Sequence, residues 1–208
     1  MATLSARHIF AADTRATPRL AFLATCGKEQ GVHVFAMSDT RWRQLHFVPS
    51  ESPVSLALHP NGETLYVLNG VSEYRGLPLG TVEAFRVSRM TGELSLLHRQ
   101  PLALSATQPR HMAVSPDGKT LAVAVDGGGS YNVLPILSDG SLRRVARSWK
   151  ETGSGPVAKF QSAPHPQTIV YDSTDTRLIT TDLGCDRLSV FSLGKSAIEL
   201  ATHTRKDL

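Results

Sequence analysis

The chain lacks the residues that mark several common classes of protein. It has two cysteines in 208 residues, Cys26 and Cys185, and no Cys-x-x-Cys pair. That excludes a disulfide-dense secreted scaffold and a thiolate zinc site, and lone thiols read as small buried hydrophobes. No apolar run reaches the roughly 18 residues of a membrane-spanning helix. Residues 1–19 carry Arg7, Arg15 and Arg19 but no apolar core, so no secretion signal is supported and a cytoplasmic location is expected. The eight histidines show no ligand spacing with cysteines or carboxylates, so no metal is expected. Gly127-Gly128-Gly129-Ser130 lacks the Gly-Lys-Ser/Thr ending of a phosphate cradle and reads as a hairpin loop. No Gly-x-Ser-x-Gly elbow occurs. The net charge of +4 is spread along the chain. Its densest cluster, Arg143, Arg144, Arg147 and Lys150, reads as the solvated face of an outer strand rather than a nucleic-acid patch. The expected ligand is a small molecule, with no cofactor, no nucleic acid and no membrane.

What the chain does have is one stretch written three times. The copies begin at Pro53, Pro109 and Pro166, 56 and then 57 residues apart. A second Pro follows seven residues on at Pro60 and Pro116, with Ser173 in the third copy. Gly62, Gly118 and Asp175 come next, then Leu65, Leu121 and Leu178. Leu56/Leu58, Met112/Val114 and Ile169/Tyr171 alternate with period two, which is strand patterning. Pro presets φ and Gly or Asn accepts φ > 0, so Pro60-Asn61-Gly62 and Pro116-Asp117-Gly118 are turns. The returning strands are expected at Leu65–Asn69, Leu121–Val125 and Leu178–Thr181. Third strands are expected at Gly80–Val87, Tyr131–Leu137 and Asp186–Leu193. Fourth strands are expected at Gly92–Leu97 and Gly140–Val145.

Four antiparallel strands per repeat make a propeller blade, and blades bury their faces only by stacking around an axis. The fold class is therefore all-β, a propeller of four-stranded antiparallel blades. Residues 1–19 form an N-terminal extension. Residues 20–50 form a first blade whose strands (Leu20–Cys26, Gly31–Met37, Leu45–Val48) lack the inner one. Residues 51–104, 105–155 and 156–208 form blades two to four. Four blades make an open, incomplete ring, about four of an expected seven. Self-association through the exposed terminal blades is an expectation of that reading.

These residues resemble a known family, the seven-bladed propeller lactonases. It includes bacterial propeller-type 6-phosphogluconolactonases and fungal carboxymuconate-lactonizing enzymes. The resemblance runs from about Leu20 to the end. It rests on Gly80–Val87 with Thr91-Gly92-Glu93-Leu94, on Ser115-Pro116-Asp117-Gly118-Lys119, and above all on Asp182-Leu183-Gly184-Cys185-Asp186-Arg187. It implies a funnel on the propeller axis where a lactone is opened or formed, without a cofactor or metal. It places the family's catalytic His second in a Pro-His-x-His segment. Here that segment is Pro164-His165-Pro166-Gln167, so Gln167 stands at that position and His165 is kept. The family's active-site Arg and Glu residues fall in later blades.

Lactone opening needs a base to activate water and donors for the developing oxyanion. His165 can be the base near neutral pH, and Gln167 can orient water or donate to the carbonyl. His165 and Gln167 are the catalytic candidates, expected to share one strand face. Arg110 and His111, at the equivalent place in blade three, are the substrate-binding candidates, since an Arg there suits a phosphorylated or carboxylated sugar acid. Asp182 is a third substrate-binding candidate, with capping of its own hairpin as the alternative. The connection Gly70–Leu79, carrying Tyr74 and Arg75, is placed at the funnel mouth. The resemblance implies a lactone hydrolase like 6-phosphogluconolactonase. A non-catalytic or truncated propeller segment, or a muconate-type lactonizing cyclase, are the alternatives.

Overall fold

A computed structural model of the chain describes residues 18–194 and 198–205. The N-terminal extension expected at 1–19 lies almost wholly outside the described residues. Every described element is a strand, and none of the described residues forms a helix long and apolar enough to cross a membrane.

The strands form four antiparallel sheets in chain order. The first holds β1 (Arg19–Thr25), β2 (Gly31–Met37) and β3 (Trp42–Pro49). The second holds β4 (Pro53–Leu58), β5 (Thr64–Asn69), β6 (Thr81–Val87) and β7 (Leu94–Pro101). The third holds β8 (Pro109–Val114), β9 (Thr120–Val125), β10 (Ser130–Pro135) and β11 (Arg147–Lys150). The fourth holds β12 (Pro166–Tyr171), β13 (Arg177–Asp182), β14 (Arg187–Leu193) and β15 (Ile198–Arg205). The three repeat copies are thus the β4–β5, β8–β9 and β12–β13 hairpins. The first sheet has three strands and lacks the counterpart of β4.

One strand falls outside its expected place. The fourth strand of the third sheet is Arg147–Lys150, not Gly140–Val145. The intervening stretch makes one bridge, Ile136 with Leu142. There Leu142 is drawn into the core between the second and third sheets, so this segment packs on the neighbouring sheet instead of extending its own.

Each sheet buries its faces on the next. Val32 and Val34 of the first pack on Leu65, Val67 and Phe85 of the second. Tyr66, Leu68 and Val82, on its other face, meet Met112, Leu121 and Val123 of the third. Ala122, Ala124 and Tyr131 meet Ile169, Leu178 and Phe191 of the fourth. The alternation along β5 and β9 is what lets each strand serve two interfaces. The outward faces at the two ends stay bare, with Leu23 and Trp42 at 52% and 64% exposure at one end and Val170 and Leu188 at 42% and 41% at the other.

The turns take the conformations their residues favour. Gly62 and Gly118 have φ of 71°, and Asp175 in the third copy has φ of 58°. In the second and third copies the residue six places after the first Pro holds the turn closed. Ser115 Oγ accepts from Lys119 N and Thr120 N, and Asp172 Oδ1 accepts from Thr176 N and Arg177 N. The hydroxyl of Thr174 and these amides hold the Asp172 carboxyl below its ordinary value. Ser141 does the same for Asp139, through its hydroxyl first and then its amide. A depressed folded-state value stabilises the fold above the unfolded value and loses that stability as pH falls through the folded one. Thermal melts should therefore be flat near neutrality and fall to lower temperature below about pH 4. Neutralising both carboxylates as Asn should flatten that acid limb, and an unchanged limb in the double variant would contradict this.

Histidines tie the sheets together. His46 Nε2 lies 3.0 Å from Thr91 O, His59 Nε2 2.9 Å from Gly118 O, and His98 Nε2 3.2 Å from Leu142 O. Each contact joins one sheet to the backbone of the next. Cys26, expected to be buried, is exposed, while Cys185 is buried; neither is in a disulfide.

Candidate active site

β8 and β12 lie side by side, and both are irregular at their first residues. The register slips between Pro109 and His111 and between Pro166 and Thr168, as it does between Pro53 and Ser55 in β4. The bulged residues are Val54, Arg110 and Gln167. A bulge leaves one residue unpaired and re-aims it. Arg110 and Gln167 therefore occupy the same place in successive repeats. The bulge also breaks the simple alternation, so His165 and Gln167 do not stand as two residues of one regular strand face. The Gln167 amide instead donates back to His165 O at 3.1 Å.

His111 turns away from its expected place. Its Nδ1 lies 3.0 Å from Ile169 O and 3.3 Å from Ile169 N, so it clamps β8 to β12 like the other inter-sheet histidines.

His165 is different. Its Nδ1 lies 2.7 Å from Asp126 Oδ1, and among the described residues it is the histidine paired with a carboxylate. Arg110 holds the other oxygen, with Nε and one terminal nitrogen each 2.9 Å from Asp126 Oδ2. The Asp126 side chain is 13% exposed, His165 36% and Arg110 50%. A carboxylate at the base of the cluster thus holds an imidazole and a guanidinium that both reach solvent. Asp126 was not singled out in the sequence. It stands at the head of the glycine hairpin, where Gly129 N returns to Asp126 O at 3.1 Å. The signal was there in the repeat: the equivalent positions are Gly70 and Leu183, so the blade itself does not call for a carboxylate.

The Asp182–Arg187 segment positions His165 from below. Asp182 is 3% exposed. Its Oδ1 accepts from His165 N at 2.8 Å and Cys185 N at 3.0 Å. Leu183 N donates to His165 O at 3.0 Å. Gln161, also buried, donates to Leu183 O and to Asp186 Oδ1. Arg187 pairs with Glu151 at 3.1 Å. Asp182 fixes backbone in the way its alternative reading supposed. The equivalent residue in the second sheet, Asn69, donates to Ser50 Oγ and Glu51 O. A cavity of about 400 Å³ opens between Gln167, Asp182 and Arg187.

Tyr74 and Arg75 sit apart from this cluster. They line a cleft of about 800 Å³ with Glu83 and Arg99, where Arg99 is paired with Glu83 at 3.1 Å and stacked on Tyr74.

This arrangement can do acid–base chemistry. A carboxylate on Nδ1 fixes the imidazole tautomer and leaves Nε2, on the far side of the ring, to accept a proton. A family model described as "Lactonase, 7-bladed beta-propeller" matches residues 20–207. The chain belongs to that family. It is 26% identical over 170 residues to a 6-phosphogluconolactonase from Formosa agariphila, covering 80% of this chain and 47% of the relative. A crystal structure of a putative 6-phosphogluconolactonase from Bacteroides fragilis superposes with a TM-score of 0.77 at 25% identity, covering 89% of this chain and 51% of the other. The periplasmic gluconolactonase of Pseudomonas aeruginosa gives 0.74 at 25% identity, covering 86% and 52%. The chain spans about half the length of these propeller lactonases and their relatives. Its four sheets are a partial propeller.

Proposed function

We propose that these four blades carry part of the site of a lactone hydrolase, acting on a sugar-acid lactone with an anionic substituent. The observation that supports this most is the Asp126 carboxylate bridging His165 and Arg110 within a lactonase fold. Water is placed between His165 Nε2 and the lactone carbonyl. As its oxygen bonds to the carbonyl carbon, its proton moves to Nε2. The tetrahedral alkoxide collapses, the ring C–O bond breaks, and the imidazolium returns the proton to the leaving oxygen. The product is the open hydroxy acid. Asp126 holds the ring throughout and stabilises the transient imidazolium. Arg110 is the donor that fits a phosphate or carboxylate on the substrate. Gln167 has a second amide hydrogen for the carbonyl oxygen.

The test is hydrolysis of 6-phosphogluconolactone beside unphosphorylated gluconolactone, corrected for spontaneous opening. Acceleration of both, with the phosphorylated lactone favoured, is expected. Rates equal to the spontaneous ones would overturn the reading. Gln167→His, which places a second imidazole at the bulge, should raise the rate on the phosphorylated lactone. A lower rate would mean that the amide itself is the working group.

A further inference from the structure

Asp126 serves two masters with two oxygens: Oδ1 lies on the His165 imidazole and Oδ2 on the Arg110 guanidinium. The three residues come from three separate departures from the repeat. Where the chain has Arg110 the other copies have Val54 and Gln167, and where it has His165 they have Ser52 and Gln108. Where it has Asp126 they have Gly70 and Leu183. Blade geometry asks for none of these side chains, yet they meet at one point. Tying blade three to blade four does not require them, because His111 already clamps β8 to β12 through Ile169.

Half the Arg110 side chain faces solvent. Its Nε and one terminal nitrogen donate to Asp126, and the other terminal nitrogen has no partner among the described residues. A guanidinium with an open edge takes a phosphate or carboxylate in a two-pronged bond. An anion held there shares the positive charge that Asp126 otherwise has to itself. The carboxylate then carries more of its charge toward His165, on the oxygen that the guanidinium does not touch. We propose that Arg110 is an anion site coupled through Asp126 to His165, so that the anionic group of a substrate strengthens the base that opens its lactone. This rests on His165 acting as the base, as argued above. It makes Asp126 a positioning residue whose strength is set by occupancy of Arg110.

The experiment titrates inorganic phosphate into isotope-labelled protein and follows the proton on His165 Nδ1 by NMR, in wild type and Arg110→Gln. Val54 at the equivalent bulge shows that an uncharged side chain is accommodated there. In wild type the resonance should move downfield and saturate, as its hydrogen bond to Asp126 strengthens; in Arg110→Gln it should not respond. In parallel, phosphate should raise kcat on unphosphorylated gluconolactone by about fivefold, the lower end of ordinary coupling between two sites, with KM unchanged. An equal shift in both proteins would mean an adventitious ion only, and phosphate binding without any shift would mean a site that is not coupled. Either result, or no binding at all, overturns the proposal. A saturable shift in a protein that opens no lactone would leave the coupling standing and remove the lactonase reading.

Discussion

Replacing His165 with Ala should lower kcat/KM for lactone opening by about 10²–10⁴-fold, the ordinary contribution of a positioned general base. The expectation follows from the Nδ1–Asp126 bond, which holds the ring in one tautomer and leaves Nε2 to accept a proton. The fold should survive. The side chain is only partly buried, and the contacts that anchor this residue are its backbone N–H on Asp182 and its carbonyl on Leu183. Asp126 would keep Arg110 as its partner. The melting temperature should therefore stay within a few degrees, at the cost of one partly exposed ion pair. The KM for a phosphorylated lactone should change little, because in the proposed reading Arg110 rather than His165 meets the anion. Steady-state kinetics on His165→Ala beside a thermal melt checks both halves. An unchanged rate would place the base elsewhere; a large loss of stability would mean that the rate carried no information on chemistry.

The second large effect is structural. Gly184→Ala should destabilise the protein by about 3 kcal/mol or more, through overpacking and loss of buried hydrogen bonds. A Cβ at Gly184 would stand inside contact with the carbonyl oxygen of Ala163, 2.7 Å from His165 N and 2.8 Å from His165 Cδ2. Two of these three are backbone atoms, and the backbone of His165 is held by Asp182 and Leu183. The only relief is to part the two segments, which breaks both anchors of His165. In a chain of this size the loss corresponds to a fall in melting temperature of about 6–12 °C. Activity should fall with it, because the imidazole loses its seat. Gly27→Ala is the control: nothing lies within 4 Å of a Cβ there, and the melt should not move. Equal melts for the two variants would contradict the packing argument.

These two glycines show where reading the sequence succeeds and where it stops. The Asp-Leu-Gly-x-Asp-Arg segment stands out in the sequence as the most specific family mark, yet its work is local and structural. Its Asp holds two backbone amides, and its Gly lets two backbones touch. The same holds for the Pro-x₆-Pro turns. Their residues fix φ and close each hairpin through neighbours four or five places away, so they are legible without any knowledge of the rest. The four-strand period followed from alternation, and with it the missing inner strand of the first sheet.

Contacts between blades were not legible. Arg143-Arg144-Val145 has strand-like neighbours on both sides, but the fourth strand begins at Arg147, because Leu142 is taken by the core of the adjacent sheet. His111 and His165 both lie at the start of an inner strand and look alike in sequence. Their difference is set by what the neighbouring blade offers: for His111 a backbone carbonyl of Ile169, for His165 the carboxylate of Asp126, 39 residues earlier in the chain. The sequence by itself determined the blades, their turns and the segment on which the site is built, because those depend on periodicity and on short-range backbone chemistry. Only the tertiary structure decided which histidine meets a carboxylate, because that pairing is made across the gap between two sheets, where no local pattern reaches.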